Sequence, residues 1–121
     1  MTKKTALYES HKESKAKIIE FSGYLMPVWF DSIKSEHIAV RKDVGVFDIS
    51  HMGIFKFTGD KAFTDMQYIS CNNLKKIKSN KLIYSMILNH DGNILDDVMF
   101  TCINDEIILV VNASNKEKIQ N

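Results

Sequence analysis

The stretch KLIYSMILNHDGNILDDVMFTCINDEIILVVN, Lys81 to Asn112, decides the fold. It reads as three strands joined by two tight turns. Asp91-Gly92 is a strong two-residue hairpin signal, because a type I′ turn needs positive φ at both central positions. That turn sets His90 opposite Asn93, Tyr84 opposite Met99, and Met86 opposite Asp97. Asn104-Asp105 makes a second tight turn, which sets Asp97 opposite Asn112. Side chains alternate faces with period two, so Tyr84, Asp97 and Asn112 are expected on one sheet face. A one-residue slip in either turn would separate them. A carboxylate inside the apolar run ILDDVMF must be hydrogen-bonded, paired or used, since burying it bare is costly.

The segments before this stretch supply helices and connectors. Asp31 or Ser32 can cap a helix through about Asp43, with Ile33, Ile38, Val40 and Val44 as apolar positions. Gly45 suits the C′ position of that helix. FSGYLMPVWF (Phe21 to Phe30), broken by the single proline Pro27, reads as extended or loop structure packing on a core. VFDISHMG is a short connector, and IFKFTG (Ile54 to Gly59) alternates as a strand. Asp60 can cap a second helix with Ala62, Phe63, Met66 and Ile69 on one face. Ser114-Asn115-Lys116-Glu117 fits a capping box and starts a further helix. That helix reaches Asn121 with almost no apolar face, which fits either a frayed tail or an element cut in its middle. The expected class is α+β: an antiparallel β-meander packed with helices, in one region 1–121. Its sub-parts are a helical and loop segment over 1–50 and a sheet segment over 51–121.

Composition narrows the function. At 45% hydrophobic and 26% charged, the chain reads as an ordinary globular protein with a real but modest core. Sixteen basic residues against fifteen acidic ones give no electrostatic case for nucleic acid or an anionic membrane. Lys75, Lys76, Lys78 and Lys81 read as a solvated helix end and loop. Cys71 and Cys102 stand far apart and suit free thiols in a reducing compartment. No apolar run is long enough to span a membrane, and no signal peptide is read. The first residues contain Glu9 and Glu13 and no arginine, which argues against a transit peptide and for a cytoplasmic, bacterial-type location.

Most single residues have a plain structural reading. Tyr84 alone is a core or sheet-surface aromatic, and Asn112 alone is a turn or cap residue. Asp96 and Asp97 are adjacent in a strand, point to opposite faces, and cannot work as a glycosidase-type pair. His11, His37, His51 and His90 show no ligand spacing with one another or with the cysteines, so no metal is expected. Ser50-His51 lacks a nucleophile elbow. Gly45, Gly53 and Gly59 form no phosphate loop. The convergence of Tyr84, Asp97 and Asn112 is what raises a functional expectation.

Five stretches carry a family resemblance, in family order along the chain: LYESH (Leu7 to His11), FSGYLMPV (Phe21 to Val28), EHIAVRKDVGVFDISHMG (Glu36 to Gly53), YSMILNHDGNILDDV (Tyr84 to Val98) and VVNASNKEK (Val110 to Lys118). FDISHMG and DGNILDDV together are specific. The chain resembles the amino-terminal third of the glycine cleavage system T-protein, an aminomethyltransferase. Folate-dependent demethylase domains of sarcosine and dimethylglycine oxidation share part of the pattern. LYESH at the amino-terminal start favours the T-protein, although Tyr24 stands where that family usually has tryptophan.

The resemblance implies transfer of a one-carbon unit from the aminomethyl-lipoyl arm of the H-protein to tetrahydrofolate, with release of ammonia. It makes Asp97, the second aspartate of ILDD, the key acidic residue. It implies folate contacts from Met52, Tyr84, Val98, Val110 and Asn112. It also implies a length about three times this one, at one domain per about 100–200 residues. The 121 residues are therefore expected to be inactive alone, and exposed apolar surface predicts self-association or cover by a second chain. A short non-catalytic folate- or partner-binding protein is the alternative from another class. A structural or interaction domain whose family motifs no longer work is a third.

Overall fold

The computed structural model describes residues 1–77, 81–104 and 106–120. The chain forms two compact units, Met1–His51 and Met52–Asn121. The expected positions Lys78, Asp105 and Asn121 lie outside the described residues.

The second unit is a four-stranded antiparallel sheet with one face packed into a core. Its strands are β4 (Gly53–Phe57), β5 (Leu82–Leu88), β6 (Ile94–Ile103) and β7 (Glu106–Val111), in the spatial order β4-β7-β6-β5. The three strands of the deciding stretch form the expected meander, and β4 adds to its β7 edge. Phe100, Leu109, Val111 and Leu74 are fully buried, with Val98, Ile107, Ile87 and Met66 around them. Each such side chain removed from water contributes about 1.5–3 kcal/mol. Gly53 has a packing reason: a Cβ there would stand 2.6 Å from Val111 Cγ2.

The β5–β6 register shows two departures that cancel. The turn is not the two-residue type I′ loop. Asn89 pairs with Asn93 through N–H to O at 3.0 Å, and Gly92 N–H closes on Asn89 O, also at 3.0 Å. Gly92 is the residue with positive φ, +83°. This is a three-residue loop of the type I plus G1-bulge kind. His90 therefore does not face Asn93. A second irregularity follows, where Ile87 pairs with Asp96 but Leu88 pairs with Ile94, so Leu95 is the extra residue. The bulge restores the offset. Tyr84 faces Met99 and Met86 faces Asp97, as expected. At the other turn Ile103 pairs with Glu106, and Asn104 carries a φ of +51°, consistent with a two-residue loop.

Helix α3 (Ala62–Ile69) packs Met66 and Ile69 on the core. Its N-cap position is Lys61, with no side-chain cap bond, so Asp60 does not cap it. The final helix α4 (Lys116–Gln120) is entered through a 3₁₀ turn over Ala113–Asn115, with Asn112 in the cap position. Ser114 lies inside that turn and is not the cap of a capping box.

The first unit departs most from expectation, because the segment 1–50 contains a sheet. Strands β1 (Lys3–Lys4), β2 (Lys17–Phe21) and β3 (Tyr24–Trp29) lie in the order β1-β3-β2. Phe21 pairs with Tyr24 across Ser22-Gly23, both of positive φ, which makes a tight two-residue turn. Pro27 sits beside a register irregularity, where a missing N–H is tolerated. A short helix α1 (Tyr8–Glu13) precedes β2, and α2 (Ile33–Lys42) follows β3.

Ser32 is the cap of α2 and accepts from Ser35 N–H at 3.2 Å. Glu36 reaches back to accept from the N–H groups of Phe30 and Asp31 at 2.6 and 2.7 Å. None of the expected apolar positions of α2 is buried. The helix ends at Asp43, and Gly45 stands two residues beyond it without positive φ, so it is not a C′ glycine. A Cβ at Gly45 would stand 2.5 Å from Val40 Cγ2, which explains glycine there. With so little burial, α2 depends on its cap. Ser32→Ala should destabilise the helix by about 1 kcal/mol, read as faster amide exchange over α2, and unchanged exchange would contradict the cap's role.

Candidate functional site

The expected trio does come together. Tyr84, Asp97 and Asn112 lie at the face of the second unit's sheet that is turned away from its core. Asn112 follows the last residue of β7, where continuing the Met99–Val110 pairing sets it opposite Asp97. Its Nδ2 donates to Asp97 Oδ1 at 2.8 Å and approaches the Asp97 carbonyl at 3.2 Å. Tyr84 Oη donates to Asp97 Oδ2 at 3.4 Å, the long end of such a contact. Asp97 is exposed, and Tyr84 is 56% exposed. The carboxylate is thus held by one short bond and one long one, with room for a further partner.

The other resemblance-derived residues divide by strand parity. Val110 pairs with Met99 and is half-buried on the Asp97 face. Met52 immediately precedes β4. Continuing the Gly53–Val111 pairing by one residue brings it beside Asn112. Val98 falls on the other side: it is 2% exposed and part of the core. Its side chain does not share the face of Asp97, so only its main chain is available to anything bound there.

One residue of this site carries more than the sequence suggested. Asp96 is 3% exposed among the core side chains. It accepts from the Asn112 backbone N–H at 2.9 Å, from Asn112 Nδ2 at 2.9 Å and from Asn115 Nδ2 at 2.6 Å. These donors satisfy a carboxylate that would be costly to bury bare. The sequence signal was the carboxylate pair in an apolar run, while its donors lie 16 and 19 residues later.

The first unit holds a separate polar cluster around Asp48, whose side chain is 3% exposed. Its Oδ2 meets His11 Nε2 at 2.8 Å and accepts from Thr5 Oγ1 at 3.0 Å. Its Oδ1 accepts from Ser50 N–H at 2.9 Å and from the Ser50 hydroxyl. Burial pushes this carboxyl up, but the bonds from the Ser50 hydroxyl, His11, the Ser50 N–H and Thr5 outweigh it. They hold Asp48 well below the usual carboxylate range. Ser50 is committed to Asp48, while His51 makes T-shaped contacts with the rings of Phe21 and Tyr24. A concavity of about 600 Å³ opens in this unit, bordered by Leu7, His11, Phe30, Val40, Phe47 and Asp48. Two of its polar lining groups, His11 and Asp48, bond each other. Asp97 is not part of it.

Among the described residues no group of three His, Cys, Asp or Glu side chains could hold a metal ion. Among them, no helix is long and apolar enough to cross a membrane.

Residues 7–121 match the family described as the GCVT N-terminal domain. The chain is 46% identical over 117 residues to an aminomethyltransferase of Caldanaerobacter subterraneus subsp. tengcongensis, covering 96% of this chain and 31% of that protein. Identity to the aminomethyltransferase of Chlorobium limicola is also 46%, over 96% of this chain and 32% of that one. The crystal structure of glycine cleavage system aminomethyltransferase T from Bartonella henselae superposes with a TM-score of 0.91 at 33% identity, covering 98% of this chain and 34% of that one. The chain spans about a third of the length of the curated relatives it matches.

Proposed function

The chain belongs to the GCVT N-terminal domain family of aminomethyltransferases, and from that premise we propose that its Asp97 face forms part of the site where a one-carbon unit passes to tetrahydrofolate. The observation that carries the reading is the convergence of Tyr84, Asp97 and Asn112 on an exposed sheet face. In the proposed reaction the aminomethyl group arrives on the lipoyl arm of the H-protein. Its bonds to sulfur and to the amine break, two bonds to folate nitrogens form in place of their N–H bonds, and the two displaced protons leave with the lipoyl thiol and ammonia. Positive charge develops on the one-carbon unit as the amine departs. A fixed carboxylate beside it stabilises that charge and helps move a proton.

The remaining assignments come from the family resemblance, and the geometry supports them in part. Asp97 is the catalytic residue. Tyr84 packs on the folate or bonds it, and Asn112 bonds it. Met52 and Val110 supply apolar walls on the same face, while Val98 contributes through its main chain. Tyr84 and Ile54 on this face stand 56% and 66% exposed. Because those residues span about a third of the relatives' length, we place the rest of the pocket in further polypeptide: a longer form of the chain, a second copy or a partner chain. The location proposed is the cytoplasm.

Calorimetric titration of tetrahydrofolate tests this. The complete protein carrying this chain should bind it, and Tyr84→Ala should weaken binding about fivefold through lost ring contact. Equal binding by the variant, or none by the complete protein, would overturn the reading. Binding without transfer would favour a non-catalytic folate binder.

A further inference from the structure

We propose that Asp96 is a positioning residue that fixes the orientation of the Asn112 amide, turning its nitrogen to the two aspartates and leaving its oxygen to accept a hydrogen bond from the substrate. The substrate half of this inference rests on the folate reading above. The orientation half stands on the hydrogen bonds alone.

The Asn112 amide carries two N–H groups. Its nitrogen lies 2.9 Å from Asp96 Oδ1, 2.8 Å from Asp97 Oδ1 and 3.2 Å from the Asp97 carbonyl. Carboxylate and carbonyl oxygens only accept. A reversed amide would set its own oxygen against three acceptors and satisfy none. The orientation is therefore dictated by chemistry rather than chosen. Asp96 strengthens the hold by also accepting the Asn112 backbone N–H, so one carboxylate grips both the main chain and the side chain of one residue. Asn115 Nδ2 anchors that carboxylate from the following turn, at 2.6 Å.

The consequence is an edge of defined polarity. Asn112 Oδ1 accepts from no donor among the described residues, and Asp97 Oδ2 has only the long Tyr84 contact. Together they offer acceptors, so the site selects a substrate edge bearing N–H donors and disfavours an edge of acceptors. Asp96 itself is buried on the core side and does not reach a substrate on that face. It acts through Asn112.

The test is a double-mutant cycle in the complete protein carrying this chain, with tetrahydrofolate affinity and thermal midpoint as readouts. Asp96→Asn leaves one acceptor oxygen where three donors converge. Asp96→Asn and Asn112→Ala should each weaken binding about tenfold, and the double variant should be no weaker than Asn112→Ala. Losses that multiply, or an unchanged affinity in Asp96→Asn, would overturn the proposal. Should Asp96→Asn fail to fold, Asn115→Ala takes its place. It should weaken binding about threefold, again with no added loss on top of Asn112→Ala, and multiplied losses would overturn the proposal equally. If Asn112→Ala binds tetrahydrofolate normally, the folate reading falls. The orientation is then decided by the ¹⁵N NMR signals of the Asn112 side-chain amide. Those protons should be well separated in the parent and shift strongly in Asp96→Asn or Asn115→Ala. Unmoved signals would contradict the lock.

Discussion

Asp97→Asn should lower one-carbon transfer by about 10²–10³-fold, the effect of removing one preorganised charge from a reacting centre. The substitution keeps the shape of the side chain and removes its charge. Asp97 is exposed at the sheet face, so the core does not depend on it. The introduced amide can still accept from Asn112 Nδ2, but its own nitrogen no longer attracts developing positive charge. The thermal midpoint should move by no more than about 4 °C, as for surface changes that lose one modest hydrogen bond. A single-turnover assay beside a melting curve separates the two effects. Normal turnover in a folded variant would remove Asp97 from the chemistry.

The largest stability effect is expected in the first unit. Asp48→Ala removes the acceptor shared by Thr5, His11 and both donors of Ser50. Thr5 and His11 are buried, so stranding their donors costs about 2–4 kcal/mol, while exposed Ser50 can turn to water. The pH dependence has a definite sign. The folded carboxyl of Asp48 lies below its unfolded value, which is near 3.9. Its stabilisation is therefore full above about pH 4 and is lost as pH falls below that, through the folded value. Denaturant titration from pH 7 down to pH 3 should show the parent losing stability over the acid limb. Asp48→Ala should begin weaker and lose less. Parallel pH profiles for the two proteins would contradict this role.

The deciding stretch conveyed the sheet better than it conveyed the turn. Asp91-Gly92 suits a type I′ loop, but a positive-φ glycine also serves the last position of a three-residue loop, and the chain takes the second. That choice alone would have moved Asp97 to the other face. The extra residue at Leu95 reverses the slip, so Tyr84, Asp97 and Asn112 meet after all. No sequence pattern marks Leu95 as a bulge, because the apolar run ILDDVMF alternates equally well in either register. Asp48 was invisible for a related reason. Its four donors come from Thr5, His11 and Ser50, and only Ser50 is local. The first unit's sheet escaped notice because β1 is two residues long and β2 is mostly exposed, so neither carries the alternation that reveals a strand. Val98 shows the limit of carrying residues over by motif. Its place in the motif is clear, but strand parity sends its side chain into the core.

The proposed role of the Asp97 face, handling a one-carbon unit bound for tetrahydrofolate, is open to direct test. The most direct measurement is ammonia release in a single turnover, using H-protein loaded with the aminomethyl group and the complete protein that carries this chain. One equivalent of ammonia is expected, with methylenetetrahydrofolate formed in step, only when tetrahydrofolate is present, and neither product at that rate in Asp97→Asn. Ammonia release at the same rate without tetrahydrofolate, or undiminished in Asp97→Asn, would contradict that role.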